Sequence, residues 1–235
     1  MKAVVLAAGE GSRMASAAAG LPKALVSVAG RPLLAHTLER LECAGFSDVV
    51  LVAGFQAETI EEFLKKVRPG LNVKIVRNPE YRRENGSSLL CVRDWVGERF
   101  VLAMGDHIVD PAIYQIAAQS EKLGLCIDRQ PALACQTNDA TRVWIEANFI
   151  KRIGKELQEW NAIDTGVFSL NTSVFDALEL LKAQKKLTIT ESMRALIAQG
   201  ESVCALDVTG KFWADLDTPD DLLEVEAILK SARVS

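Results

Sequence analysis

Histidine, tyrosine and paired cysteine are what this chain has least of. Its 235 residues include two histidines, His36 and His107, and two tyrosines, with aromatic residues at 6%. So few histidines exclude a histidine-rich metal cluster and argue against a serine–histidine triad. The five cysteines (Cys43, Cys91, Cys126, Cys135 and Cys204) are scattered with no Cys-x-x-Cys pair. An odd number in apolar surroundings reads as buried free thiols, not as a disulfide frame or zinc site. A basic excess is also missing: the formal net charge is −4, which argues against nucleic acid as a partner. No apolar run approaches the roughly 20 residues that span a bilayer. Lys2 and a short apolar stretch imitate a signal peptide, but Glu10 and Arg13 follow at once, so the expected location is cytoplasmic.

What is present is an ordinary globular composition, 49% hydrophobic and 25% charged, in a chain long enough to bury a sizeable core. The first informative stretch is the apolar run Ala3–Ala8, which ends in a loop carrying Gly9, Gly11, Ser12 and Arg13. Such a run bounded by glycines reads as a buried parallel strand with a phosphate-accommodating loop at its carboxyl end. Glycines let backbone N–H groups approach an anion closely, while Arg13 and the Lys23 of Pro22-Lys23 add positive charge. The implied ligand is a nucleoside triphosphate. It is not held by a Walker loop, because Gly11 is followed by Ser12 and Arg13. Nor is this a dinucleotide fingerprint, because Met14 stands where the third glycine belongs.

Apolar runs and amphipathic segments then alternate. Ala3–Ala8, Val49–Ala53, Val73–Val76 and Phe100–Met104 read as strands, with helices at Pro32–Cys43, Ala57–Val67 and Ser87–Trp95. Pro32 suits a first helical turn, and Gly45 lies where that helix should stop. Repeated strand–helix–strand units imply a doubly wound, mostly parallel mixed sheet. Further on, Arg142–Ile153 alternates around Asn148 like a small β-hairpin, and Asp164–Leu170 reads as a strand. Helices are expected at Thr172–Ala183 and Thr190–Gln199, a strand near Val203–Val208, and a last helix starting at Thr218-Pro219. No linker or repeat interrupts the chain, so residues 1–235 are expected to form one domain.

Ligands of open α/β sheets collect beyond the carboxyl ends of the strands. Met104-Gly105-Asp106-His107 sits at such an end, where Asp106 would serve either as a turn residue or as a metal ligand. Asp215 and Asp217, in Trp213-Ala214-Asp215-Leu216-Asp217-Thr218, offer a second acidic pair or a helix cap. Two carboxylates from distant segments suit Mg²⁺ when triphosphate oxygens complete the octahedron. In Asn85-Gly86-Ser87-Ser88 the amide could read a pyrimidine edge, or the serines could cap a helix. Lys155, after Gly154, could bind an acceptor phosphate as a point charge or simply be solvated.

In this order, Gly-x-Gly-Ser-Arg, Pro-Lys, Asn-Gly-x-Ser, Gly-Asp, Asp-Thr-Gly and Asp-x-Asp-Thr, the chain resembles the nucleotidyltransferase (sugar-nucleotide pyrophosphorylase) family, whose fold is Rossmann-like. The resemblance implies that Arg13 and Lys23 hold the triphosphate, with Ala8, Gly9, Gly11 and Ser12 around it and Asn85, Gly86 and Ser88 near the base. It also implies that Asp106 holds Mg²⁺ with Asp217, because the Leu-Asp-Thr match falls on Leu216-Asp217-Thr218, with Asp215 as the alternative. The chain further resembles the CTP:inositol-1-phosphate cytidylyltransferase branch through Met104-Gly105-Asp106-His107, Ile127-Asp128-Arg129-Gln130-Pro131, Ala140-Thr141-Arg142-Val143 and Ile153-Gly154-Lys155-Glu156-Leu157. Arg142 stands there in place of a lysine. By that resemblance Asp128, Arg142, Lys155, Asp164 and Thr165 would face the acceptor, with Lys155 on its phosphate. The implied reaction is transfer of CMP from CTP to inositol-1-phosphate. The implied setting is a free-standing enzyme, or one fused to or working with a membrane phosphodiester synthase. Two alternatives remain open on the residues. One is a phosphocholine or sugar-1-phosphate nucleotidyltransferase, of which choline would call for an ammonium cage with Trp144, Trp160 or Trp213 as candidates. The other alternative is a non-catalytic nucleotide-binding module.

Overall fold

The first half of the chain winds as its hydrophobic pattern dictates. The computed structural model describes residues 1–14, 20–67, 70–137, 139–183 and 186–232. Its strands in chain order are β1 (Lys2–Ala7), β2 (Ser27–Val28), β3 (Arg31–Pro32), β4 (Asp48–Ala53), β5 (Asn72–Arg77) and β6 (Arg99–Met104). The second half adds β7 (His107–Val109), β8 (Gly124–Asp128), β9 (Arg142–Glu146), β10 (Phe149–Gly154), β11 (Ala162–Asn171), β12 (Cys204–Asp207) and β13 (Trp213–Asp215). Nine of these form the main sheet in the order β5-β4-β1-β6-β11-β8-β12-β10-β9, with β11 also touching β9. Seven of the nine run the same way and only β10 and β11 oppose them, as the pairings require.

Alternation along β1 explains the double winding. Ala3, Val5 and Ala7 face one core with Leu34, Leu38, Ile60 and Ile113, while Val4, Leu6 and Ala8 face another with Leu89, Phe175, Leu178 and Met193. Helices Leu33–Cys43, Ala57–Val67 and Pro111–Gln119 therefore cover one face. Helices Asn85–Leu90, Ser173–Ala183 and Ile189–Ala198 cover the other. Phe100 stacks on Phe175 with ring centroids 5.7 Å apart, and truncating either ring would cost about 3–5 kcal/mol.

Several boundaries move. Pro32 precedes its helix at the cap position and is not in the first turn. The helix expected at Ser87–Trp95 spans Asn85–Leu90, because Gly86 N–H and the Asn85 side chain are tied to residues 187–189 and set its start from outside. Turns carry the chain on to Trp95. The next shift is at Ile189–Ala198, capped by Thr188. The last helix, Pro219–Ala232, opens as expected: Thr218 Oγ1 accepts from Asp221 N–H while Asp221 accepts from Thr218 N–H, a reciprocal capping box. The hairpin expected at Arg142–Ile153 turns on Ala147 and Asn148, both at positive φ, and is built into the edge of the main sheet. Among the described residues no helix is long and apolar enough to cross a membrane.

This topology aims chemistry at one edge of the sheet. The ends of β1 and β6 deliver the glycine loop and Asp106, the start of the opposed β11 delivers Asp164, and the two-stranded pair β7–β13 sets Asp215 opposite His107.

Candidate active site

A cleft of about 870 Å³ opens at that edge, lined by Arg13, Asp106, Lys155, Asp164, Arg194 and Asp217 among others. On its nucleotide side the glycine loop and Lys23 fold as one piece. Gly11 takes φ +67°, and a Cβ there would lie 2.6 Å from Lys23 Cβ, so only glycine lets the lysine stem pass beneath the loop. Lys23 is 9% exposed. Its Nζ donates to Asp106 Oδ2 at 2.8 Å and Asp217 Oδ1 at 2.6 Å. Burial pulls its pKa down, but Asp106, Asp215 and Asp217 more than reverse this, and the ammonium is held charged. Arg13, in a short turn at Ser12–Met14, donates to Asp217 Oδ2 at 2.6 Å and Asp139 Oδ2 at 3.0 Å. Gly9 has open space around its α-carbon and borders a small recess shared with Gly105 and Asp106. Ser12 is exposed.

Beside Lys23 lies a candidate metal group. The potential ligand atoms of Asp106, His107 and Asp215 all fall within 4.8 Å of one another. His107 Nδ1 is 2.9 Å from Asp106 Oδ1 and 3.9 Å from Asp215 Oδ1. Burial opposes charge on the imidazole, but Asp215 and Asp106 overcome it and lift its pKa to about 9, so Nδ1–H donates to Asp106. Burial also pushes Asp106 up, yet Lys23 and His107 hold it well below the usual carboxylate range. Asp215 responds in the opposite direction: burial outweighs the pull of His107 and raises it to about 7. Its Oδ1 is buried with no hydrogen-bond partner. An orphaned carboxylate oxygen next to a second carboxylate suits a hard divalent cation. The histidine, with Nδ1 already spent, is better placed to orient Asp106 than to ligate. Lys23 bridges both members of the expected pair, Asp106 and Asp217. Asp217 is taken up by Lys23 and Arg13, while Asp215 stands with Asp106, because β13 ends at Asp215 and the chain turns there.

On the acceptor side Lys155 Nζ lies 2.8 Å from Asp139 Oδ2, the same oxygen that Arg13 contacts. The cations assigned to the two substrates thus converge on one carboxylate. Asp164 lines the cleft, and burial raises its pKa to about 6 despite the bond it accepts from Gly166 N–H.

Other expected residues have structural partners in the fold. Asp128 is 3% exposed and accepts from Trp213 Nε1 at 2.9 Å. Thr165 is fully buried and donates to the Cys126 carbonyl. Arg142 donates to the Leu157 carbonyl, lies over Trp160 and is not among the residues lining the cleft. Ala8 is buried, its carbonyl accepting from Phe55 N–H. Asn85 lines the cleft, and its Oδ1 accepts from Ile189 N–H, which anchors the amide while leaving a second lone pair and both amide hydrogens. Gly86 packs so tightly on the Leu187 carbonyl that a Cβ would sit 2.6 Å away, and Ser88 accepts from the buried Asn78 amide. Neither of these two lines the cleft. All three candidate cage tryptophans are taken: Trp160 under Arg142, Trp144 under Arg152, and Trp213 stacked on His107. Asp139, Glu191 and Arg194 line the cleft without having been singled out in the sequence; their partners lie 16 to 126 positions away, apart from the local contacts at the start of helix Ile189–Ala198, and only three-dimensional proximity reveals them.

Residues 3–203 match the MobA-like NTP transferase domain. The bifunctional IPC transferase and DIPP synthase of Aquifex aeolicus is 37% identical over 97% of this chain and 51% of its own length. The protein of the same name from Archaeoglobus fulgidus is 35% identical over 100% of this chain and 45% of its own. The chain therefore spans about half the length of these relatives. Among solved structures, the inositol-1-phosphate CTP transferase from T. maritima superposes with a TM-score of 0.86 at 25% identity, covering 97% of this chain and 96% of that one. A UDP-glucose pyrophosphorylase complexed with UDP-glucose superposes at 0.81 with 17% identity, covering 98% of each, which speaks for the fold alone.

Proposed function

This chain belongs to the MobA-like NTP transferase domain family, and from that premise we propose that it moves CMP from CTP to inositol-1-phosphate. The products are CDP-inositol and pyrophosphate. The observation that carries this reading is the meeting of Arg13 and Lys155 on one Asp139 oxygen, in the same cleft as the Asp106–Asp215 pair. Such a site can hold two phosphates end to end, as in-line displacement needs.

In the reaction an oxygen of the acceptor phosphate bonds to the α-phosphorus, and the α–β bridging bond breaks. A phosphate monoester has its second pKa near ~6 and is largely dianionic at neutral pH, so no general base is required. Lys155 orients the acceptor phosphate. Arg13 and Lys23 hold the triphosphate and stabilise the charge that collects on the departing pyrophosphate. Asp106 and Asp215 would hold Mg²⁺, which when bound neutralises phosphate charge near the reacting centre. Asp217 fixes Lys23 and Arg13 relative to each other.

Residues 1–235 act as one catalytic domain, and five free cysteines support a reducing, cytoplasmic setting. A second, phosphodiester-forming activity, fused or separate, would consume the product. The test is pyrophosphate release with Mg²⁺ across CTP, UTP, dTTP, ATP and GTP, each with inositol-1-phosphate, phosphocholine or glucose-1-phosphate. Turnover confined to CTP with inositol-1-phosphate is expected. Turnover with another pair moves the substrate, and none at all overturns the reading.

A further inference from the structure

The acceptor wall holds a side chain that neither substrate has been assigned. Arg194 projects from helix Ile189–Ala198, whose first turn is fixed by Thr188 Oγ1 accepting from Glu191 N–H. Its guanidinium is spread over three partners. Nε donates to the Ile153 carbonyl at 2.6 Å, one terminal nitrogen donates to Glu191 Oε1 at 2.6 Å, and the other pairs with Glu156. Two of these partners flank Gly154-Lys155, so the arginine grips the chain on both sides of Lys155.

Gly154 is the seat of this grip. Its φ of +155° lies in territory that glycine alone occupies readily. A Cβ there would stand 1.7 Å from the Arg194 terminal nitrogen and 2.6 Å from Glu156 Oε2. The absent side chain is what lets the guanidinium and the carboxylate fold over the backbone. A lysine could not replace the arginine, because a single ammonium cannot address a carbonyl and two carboxylates in one plane.

We propose that Arg194 is a positioning residue for the acceptor: it locks Gly154–Glu156 so that Lys155 faces the reaction centre, and it sets Glu156 and Glu191 to accept hydroxyls of a polyhydroxylated ring. This rests on Lys155 being the acceptor cation, as in the proposed function. Carboxylates are acceptor-only groups with several lone-pair sites, so each retains capacity for a hydroxyl beyond its bond to Arg194. Two carboxylates against one guanidinium also leave this end of the cleft a poor place for a triphosphate. That assigns it to the hydroxylated end of the acceptor and not to the nucleotide.

Steady-state kinetics with each substrate varied in turn test the assignment. Arg194→Ala should raise the acceptor KM about tenfold or more while the CTP KM stays within about twofold, the scale of one lost charge-assisted contact. Glu191→Gln and Glu156→Gln, which keep shape and fold, should narrow the preference for inositol-1-phosphate over cyclohexyl phosphate, a ring of the same size without hydroxyls. A folded Arg194→Ala with an unchanged acceptor KM, or with both KM values raised equally, overturns the positioning role. If Arg194→Ala does not fold, an unchanged ring preference in the two glutamine variants overturns the inference by itself. No turnover by the wild-type protein with any phosphate monoester overturns the transferase reading and this inference together.

Discussion

On the wall of the cleft built from β1 and β6, Lys23 is 9% exposed and sits between two carboxylates. On the opposite wall Lys155 and Asp139 have side chains 57% and 45% exposed and share a single contact. The same chemistry, an ammonium facing a carboxylate, is therefore used in two regimes. The buried network cannot lose a member without stranding a charge in a poorly solvated place, whereas an exposed pair is worth at most about 1 kcal/mol and can be rearranged freely. In the proposed reaction the buried wall would carry the triphosphate, and the exposed Lys155 side chain, on a backbone that Arg194 holds, would meet the acceptor.

The largest expected effect comes from breaking the buried wall. Lys23→Ala should lower turnover about 10²-fold or more, because the cation on the leaving pyrophosphate is gone. It should also destabilise the fold by about 3–5 kcal/mol, since Asp106 and Asp217 lose their shared partner. Turnover of the folded fraction and a urea titration measure the two separately, and near wild-type turnover would remove Lys23 from the chemistry. Next, Asp215→Asn should weaken the Mg²⁺ dependence of pyrophosphate release on the order of 10²-fold, and Asp217→Asn much less. The reverse ranking would return the metal to Asp217. A smaller change is expected on the exposed wall. Lys155→Ala should raise the acceptor KM about tenfold and leave the CTP KM nearly unchanged, whereas a matched rise in both would erase the distinction between the walls.

The smallest effect is a pH dependence of stability at Asp164. Its folded pKa of about 6 lies above the ordinary 3.8, so between those values the folded protein keeps a proton that the unfolded chain has released. Stability from this group is therefore lost as pH rises from 3.8 to about 6, and the penalty is constant above that. Asp164→Asn, which preserves the acceptor for Gly166 N–H, should gain about 1–3 kcal/mol at pH 8 and nothing at pH 3.5. Thermal midpoints at the two pH values check it. An equal gain at both would place the effect outside this carboxyl.

The contrast between the walls also explains what could be read from the residues alone. The glycine loop, Arg13, Lys23 and Asp106 are legible because a strand followed by Gly-x-Gly, a Pro-Lys and a Gly-Asp are local patterns, the first and last at the ends of the neighbouring parallel strands β1 and β6. Asp215 and Asp217 are two residues apart in one acidic run, and local pattern cannot separate them. The proposed choice of Asp215 rests on its pairing with His107 across β7–β13. Asp128, Arg142 and Thr165 match local motifs too, but the partners their side chains meet, Trp213, Leu157 and Cys126, are supplied only by the fold. Asp139 and Arg194 belong to no motif at all and acquire meaning from residues far along the chain.

The place of β11 in the sheet has a consequence for how the chain is made. It enters between β6 and β8, antiparallel to both, and completes the hydrogen bonding of β6. Roughly 60 residues separate the end of β6 from the start of β11, which at 5–20 residues per second is on the order of 3–12 s of synthesis. Throughout that interval a nascent chain emerging from the ribosome displays β6 as an open, wholly apolar edge, Phe100–Ala103, of the kind that templates pairing with a neighbour. Half-finished copies on polysomes are therefore exposed to aggregation at this edge, and a chaperone that shields β6 until Val167–Asn171 have emerged should raise the yield.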